Sequence, residues 1–381
     1  MRMKVSLAEP DIGEEEAQAV YEVVRSGWIS EGKLVREFED QFASYVGSKH
    51  AIATFNGTVG LHLMLLAYGI GSGDEVIVPS LTFISTVTSV MHVGANPVFA
   101  EINPLTFNLD PNDIERHITN RTKAIIPVHY GGQPADMIPI LEIAEKYQLY
   151  VFEDAAEAHG AEYASKKVGT FGHAAMFSFT PTKNITTGEG GMVTTNDTKI
   201  AKKIRLLKNH GQESLYRHIV LGYNYRMTEM QAALGLKQLE KLDGIIAKKR
   251  KNAKFLSAEI SQINGLSPPF IGENRKHAYM LYTISIEPEQ IKLSRDEILQ
   301  ALQTKGIEAR VYFPPVHLQP LFNKLGYKEG MLPTTEKLYK NILSLPFHSK
   351  LNREQLFYML TSLREILNTN NLKTLWISQR G

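Results

Sequence analysis

The chain contains no cysteine. Disulfides, zinc–thiolate sites, iron–sulfur clusters and thiol nucleophiles are excluded together. Net charge is also scarce: 42 Lys and Arg against 40 Asp and Glu leave +2. No basic face of the kind nucleic acid requires is available, and no acidic tail stands out. An anionic small molecule would have to be met by a few local cations and backbone amides. No apolar run approaches the length of a bilayer span, and MRMKVSLAEPDIGEEE lacks the apolar stretch of a signal peptide. The expectation is a cytoplasmic protein with neither a membrane nor a nucleic-acid partner. No G-x-G-x-x-G follows the first strand candidate, which argues against a nicotinamide oxidoreductase. None of the 12 histidines falls in an H-E-x-x-H pair, so no metal is expected. Repeats and low-complexity tracts are likewise missing.

What is present suits a large domain joined to a smaller one: 381 residues, 43% of them hydrophobic. The first half alternates strand-like apolar runs with helical patterns, the mark of a parallel α/β sheet. Strand candidates are Ala51–Thr54, Glu75–Val78, Pro97–Ala100, Lys123–Val128 and Tyr150–Glu153, followed by Ala174–Phe179 and Gly191–Thr195 around a polar, glycine-rich connection. Thr228 is placed to cap a long helix running through Leu234, Leu239 and Ile246. Beyond it, Tyr279–Ile286 and Arg310–Phe313 read as strands, and Leu299–Leu302, Leu338–Leu343 and Leu356–Ile366 as helical.

Four local features carry possible chemistry. Lys183 lies in a mixed apolar and glycine-rich stretch suited to a lysine that forms Schiff bases, although most lysines are solvated surface charges. Asp154 stands where a strand ends, the edge at which open α/β sheets bind ligands; a carboxylate capping a loop would look the same. Asn56-Gly57-Thr58 opens a helix whose free amides would hold an anion, and Ser178 could add a hydroxyl; an ordinary turn and a backbone-bonded serine are the plainer accounts. Phe83, just past another strand, could stack on a flat ring or simply pack in the core.

In this order (phosphate loop, aromatic, acid, lysine) the features resemble the fold-type-I pyridoxal-phosphate enzymes, and more narrowly the DegT-type sugar aminotransferases. The resemblance is carried by Ser26–Ser30, Gly73–Pro79, Glu153–Gly160, Lys183–Gly191, Gly222–Met227 with Gln231-Ala232-Ala233, Val316–Pro320 and Ser344–Pro346, and so covers nearly the whole chain. The Trp28 segment and the Ile185–Gly191 run are most similar to perosamine-synthase-type sugar 4-aminotransferases, whereas Thr180-Pro181-Thr182 departs from them.

The resemblance implies an α/β fold with a mostly parallel-sheet domain at 1–245, whose segment 1–30 lies near the substrate entrance, and an α+β domain at 246–381. It implies pyridoxal phosphate as cofactor, with Lys183, Asp154 and His159 catalytic. Asp154 would keep the ring nitrogen protonated, which lets the ring act as an electron sink. Gly57, Thr58 and Ser178 would hold the phosphate, and Phe83 would cover the ring. Glu157, where glutamine is frequent, would lie near the ring hydroxyl. Asn224 would reach the phosphate of a second copy in a homodimer with shared sites. Trp28, Arg226 and Arg310 would meet the substrates, a nucleotide-linked keto sugar and L-glutamate. Amination at C3, a dehydratase (which has histidine where this chain has Lys183) and a non-catalytic cofactor-binding protein are the other readings.

Overall fold

The computed structural model describes residues 3–378. Seven strands form the main sheet: β1 (His50–Thr54), β2 (Glu75–Pro79), β3 (Asn96–Ala100), β4 (Thr122–Ile125), β5 (Tyr150–Asp154), β6 (Ala174–Ser178) and β7 (Gly191–Thr195), in the order β1-β7-β6-β5-β4-β2-β3. Every pairing from β3 across to β6 is parallel. β7 runs against both of its neighbours, which turns β1 back to the common direction. β2, β6 and β7 are buried at all five positions, as a sheet covered on both faces requires.

The strands fall close to where their apolar runs predict. The exception is β4, expected to reach Val128. Pro127 has no N–H to give the ladder, and the chain rejoins its neighbour only through an isolated bridge from Val128 to Asp154. The parallel direction puts the ends of β1, β2, β5 and β6 on one edge of the sheet. The segments Asn56–Thr58, Ser80–Phe83, Ala155–Glu157 and Phe179–Lys183 therefore meet there.

Thr228 caps the long helix Glu229–Ile260 as the sequence predicts, in a capping box with Gln231. Leu236, Leu239 and Leu242 of this helix pack in the core beside the main sheet. Ala253, Leu256 and Ile260 pack in a second core, built on a small antiparallel sheet of Leu266–Ser267, Tyr282–Ile286 and Ile342–Leu345 and on the helices Arg295–Thr304 and Arg353–Ser378. Val5 bridges to Ile307, so the start of the described chain belongs to this second core.

Two expectations here are corrected. Arg310–Phe313 makes only an isolated bridge, Arg310 to Ser344, in place of a strand. The helix expected over Leu338–Leu343 ends at Lys340, and Ile342–Leu345 is a strand buried at all four positions. The apolar run there is shared by two elements, because the edge of the Tyr282–Ile286 strand offers Ile342–Leu345 hydrogen bonds as well as burial. Among the described residues no helix is long and apolar enough to cross a membrane.

Candidate active site

A cavity of about 390 Å³ opens at the shared edge of the strands. Gly57, Thr58, Phe83, Asp154, Glu157, Ser178 and Lys183 all line it. The sequence places these residues up to 126 positions apart (183 minus 57); the parallel sheet brings them together.

One end is built of hydrogen-bond donors. Asn56 caps the helix Gly57–Ala67, its side chain accepting from the Val59 amide at 3.0 Å. The first amides of that helix have no acceptor within it, and its dipole favours an anion at this end. The Thr58 and Ser85 hydroxyls lie 2.9 Å apart beside it, and Ser178 faces the same space. Gly57 is required by close approach: a Cβ there would lie 2.9 Å from the Met176 sulfur and 3.0 Å from Ser178 Cβ.

The other end carries the ionisable groups. Asp154 accepts from the Thr86 hydroxyl at 2.7 Å and from the Ala156 amide at 3.1 Å. Burial pushes its carboxyl above the usual range, while the Thr86 and Ala156 bonds and the charge of Lys183 pull it back only in part. Thr86 is held in turn by Thr82 at 2.7 Å. Lys183 Nζ donates to Glu157 Oε1 at 3.2 Å, and the other oxygen of Glu157 accepts from the Gly131 amide at 2.7 Å. Phe83 stands half-exposed at the mouth, its ring edge-to-face with Phe313 at 6.0 Å. Tyr312 and Phe313 complete the wall, fixed by a hydrogen bond from the Tyr130 hydroxyl to the Tyr312 carbonyl.

The remaining expected residues do not line this cavity. His159 is buried, its ring 5.4 Å from those of both Phe177 and Phe179. Neither ring nitrogen meets a partner at hydrogen-bonding geometry. Burial first, and then the charge of Lys183, push it down to about 3, so it is neutral near pH 7. Asn224 is exposed on a loop, bridged to Asn209. Arg226 donates to the Asn209 side chain at 2.7 Å. Arg310 is exposed beside the Tyr312–Phe313 wall, and Trp28, 66% exposed, borders a separate groove formed with Glu229 and Leu236. Sequence reasoning missed Thr82, Ser85 and Thr86. Their signal was a run of hydroxyls following β2, with Thr82 and Thr86 at helical i, i+4 spacing.

The residues present fit pyridoxal phosphate. A helix N-terminus with three hydroxyls suits a phosphate, Gly57 leaves the backbone open to it, and a carboxylate, an aromatic ring and an amine surround the rest.

Comparison with known proteins gives the same answer. The DegT/DnrJ/EryC1/StrS aminotransferase family matches residues 10–364. The GDP-perosamine synthase of Caulobacter vibrioides is 43% identical over 368 residues, covering 96% of this chain and 98% of its own. Among solved structures, Helicobacter pylori PseC, an aminotransferase involved in the biosynthesis of pseudoaminic acid, superposes with a TM-score of 0.92 at 30% identity, covering 96% of this chain and all of its own (100%). The PLP-form of Spr1654 from Streptococcus pneumoniae gives a TM-score of 0.91 at 27% identity, covering 96% of this chain and 99% of its own. With its fold shared from end to end and its lysine and aspartate in one cavity, the chain is an aminotransferase and belongs to the DegT/DnrJ/EryC1/StrS aminotransferase family.

Proposed function

We propose that the chain is a pyridoxal-phosphate-dependent sugar aminotransferase that moves an amino group from L-glutamate to a nucleotide-linked 4-keto-6-deoxy sugar of the perosamine type, acting in the cytoplasm. The observation that carries this reading is the shared cavity of Lys183, Asp154 and the Gly57 helix terminus. The names of relatives, the Caulobacter vibrioides GDP-perosamine synthase among them, support the substrate class.

Each residue then has a task. The amides at the start of the helix and the hydroxyls of Thr58, Ser85 and Ser178 bind the phosphate. Phe83 would cover the cofactor ring at the mouth of the cavity and limit the access of water. Pyridoxal phosphate, when bound, supplies a carbonyl that condenses with amines and a ring that takes up electrons as a neighbouring carbon loses its proton. Asp154, oriented by Thr86, holds the proton on the ring nitrogen. Lys183 holds the cofactor, and its Nζ takes the α-proton of glutamate and returns it at the carbon where it is needed. Glu157, bonded to Lys183, orients it and would stand near the cofactor's ring hydroxyl, and His159 supports the wall behind.

Asn224, Arg226, Arg310 and Trp28 belong to the same proposal through a symmetric dimer, in which the exposed Asn224 of one copy completes the phosphate site of the other and the arginines and Trp28 meet the substrates. The division into a cofactor-binding unit at 1–245 and a smaller unit at 246–381 is part of it too. It is supported by the passage of the long helix from one core to the other. The test is to supply GDP-, UDP- and dTDP-linked 3-keto and 4-keto sugars with glutamate and to identify products by mass spectrometry. An amino sugar from a 4-keto substrate is expected. Amination of 3-keto sugars alone, or transfer from other amino acids but not glutamate, would overturn the finer reading.

A further inference from the structure

The loop that carries Lys183 is tethered to the long helix at three points. Gln231 Nε2 donates to the Glu189 carbonyl at 2.5 Å. Gln238 Oε1 accepts from the Thr186 amide at 3.3 Å. Lys249 Nζ donates to Asn184 Oδ1 at 2.8 Å, and Asn184 Nδ2 donates to the Ala278 carbonyl at 3.0 Å. Gln238 and Lys249 are 11 positions apart (249 minus 238), about three helical turns, and so share a face. The neck of the loop is closed by its own bonds, from the Thr187 amide and the Thr186 hydroxyl to the Phe179 carbonyl. Of the tethered residues, Asn184 is the one next to Lys183.

Lys249 is an unusual choice for that bond. It is 3% exposed and, among the described residues, makes no ion pair with a carboxylate. The groups facing it are Asn184 from the loop, His277 from the segment before the Tyr282–Ile286 strand, and Phe347 and His348 from the segment after Ile342–Leu345. Glu9 and Asp11 border the same small pocket, and Lys183 reaches it from the far side. The Phe347 ring centroid is 5.6 Å from the ammonium. Burial pushes Lys249 down to about 7. A buried cation without a counter-charge costs stability, and an apolar side chain of the same volume would fill the space more cheaply. What Lys249 adds over such a side chain is its hydrogen bond to Asn184.

We propose that Lys249 is a positioning residue for Lys183: by holding Asn184 against the long helix, it fixes the middle of the 180–190 loop and with it the reach of the Lys183 amine into the cavity. This rests on the reading of Lys183 as the cofactor lysine, but the geometry of the clamp does not.

Lys249→Met removes the donor while keeping the length of the side chain, and Asn184→Leu removes the acceptor. Hydrogen exchange of the amides at 182–187 in the full, cofactor-free chain should rise about tenfold in either variant, because a local opening becomes easier. The melting midpoint of Lys249→Met should stay within a few degrees of wild type or rise, since a buried charge is lost. The double variant should exchange no faster than the faster single variant, the mark of one shared interaction. Asn184→Asp keeps the acceptor for Lys249 but loses the donor to the Ala278 carbonyl, so it should exchange faster than wild type and more slowly than Asn184→Leu. In the loaded enzyme, kcat should fall about tenfold with KM changed by less than about twofold, as for an interaction expressed in the chemical step. Leu256→Ala, a cut in the small core, should lower the melting midpoint without this local exchange.

Unchanged exchange at 182–187 in both single variants, or additive effects in the double variant, would overturn the clamp. If borohydride fixed the cofactor to a lysine other than Lys183, the reading of the site would fail while the exchange result stood.

Discussion

The two ends of the cavity are made of different material. At the Gly57 end stand helix amides and the hydroxyls of Thr58, Ser85 and Ser178, and the exposed Glu189 also lines the cavity. At the Asp154 end, two carboxylates and an amine crowd together in a nearly buried space. The first end is cheap to keep folded, because each group can be satisfied by a neighbour or by water. The second is costly, and the raised pKa of Asp154 is the visible sign of that cost. An enzyme tolerates such strain where it performs chemistry. Under the proposed function, the contrast would give retention of the cofactor to the donor end and turnover to the charged end.

Variants can break or sharpen that division. The largest effect is expected for Lys183→Ala, which should fold and still hold the cofactor by its other contacts but lose turnover by about four orders of magnitude or more. Steady-state assay with equilibrium dialysis of the cofactor separates the two outcomes. Asp154→Asn should slow the glutamate half-reaction by about two orders of magnitude, a loss of about 3 kcal/mol, with a smaller change in cofactor affinity. Thr86→Val, which leaves Asp154 without its orienting hydroxyl, should cost about tenfold in the same single-turnover rate. Ser178→Ala should be the mildest: cofactor affinity falls about fivefold, equivalent to one hydrogen bond of about 1 kcal/mol, while kcat is nearly unchanged.

The raised pKa of Asp154 also gives a pH dependence. An acid whose folded pKa lies above its unfolded value binds a proton more tightly in the fold. It destabilises the fold progressively as pH rises from the unfolded pKa to the folded one, and fully above that. The cofactor-free Asp154→Asn chain should therefore melt above wild type at neutral pH, and the difference should vanish below the unfolded pKa, in acid. A lower melting point for Asp154→Asn at neutral pH would mean that Asp154 is stabilised in place, and that the cost inferred at this end is misplaced.

How much of the site was legible follows the same geography. Lys183, Asp154 and Gly57 could be read because each sits just past a strand that its own apolar run declares, and parallel strands carry such positions to one edge. Thr86 could not be matched to Asp154, 68 positions away, because nothing local marks which of several hydroxyls faces an acid. The Tyr312–Phe313 wall was hidden for a related reason: the sequence reads Arg310–Phe313 as a strand, whereas the segment makes a single bridge at Arg310 and sets the Phe313 ring against Phe83. His159 lies one side of the loop too deep, against Phe177 and Phe179, a choice that spacing alone does not decide. Asn224, Arg226 and Arg310 do not line the cavity of a single chain, and the proposed role of Asn224 depends on a second copy. Mixing Lys183→Ala with Asn224→Ala chains addresses this: a mixed dimer holds one intact site and should recover part of the activity.

The central claim is that Lys183, of all the lysines in the chain, carries the cofactor. Borohydride reduction of the loaded enzyme followed by peptide mapping tests it most directly. The account predicts a single modified peptide, the one that contains Lys183, and no stable modification in Lys183→Ala. Modification at another lysine in the wild-type enzyme, such as Lys249, which lines a small pocket together with Lys183, would contradict it.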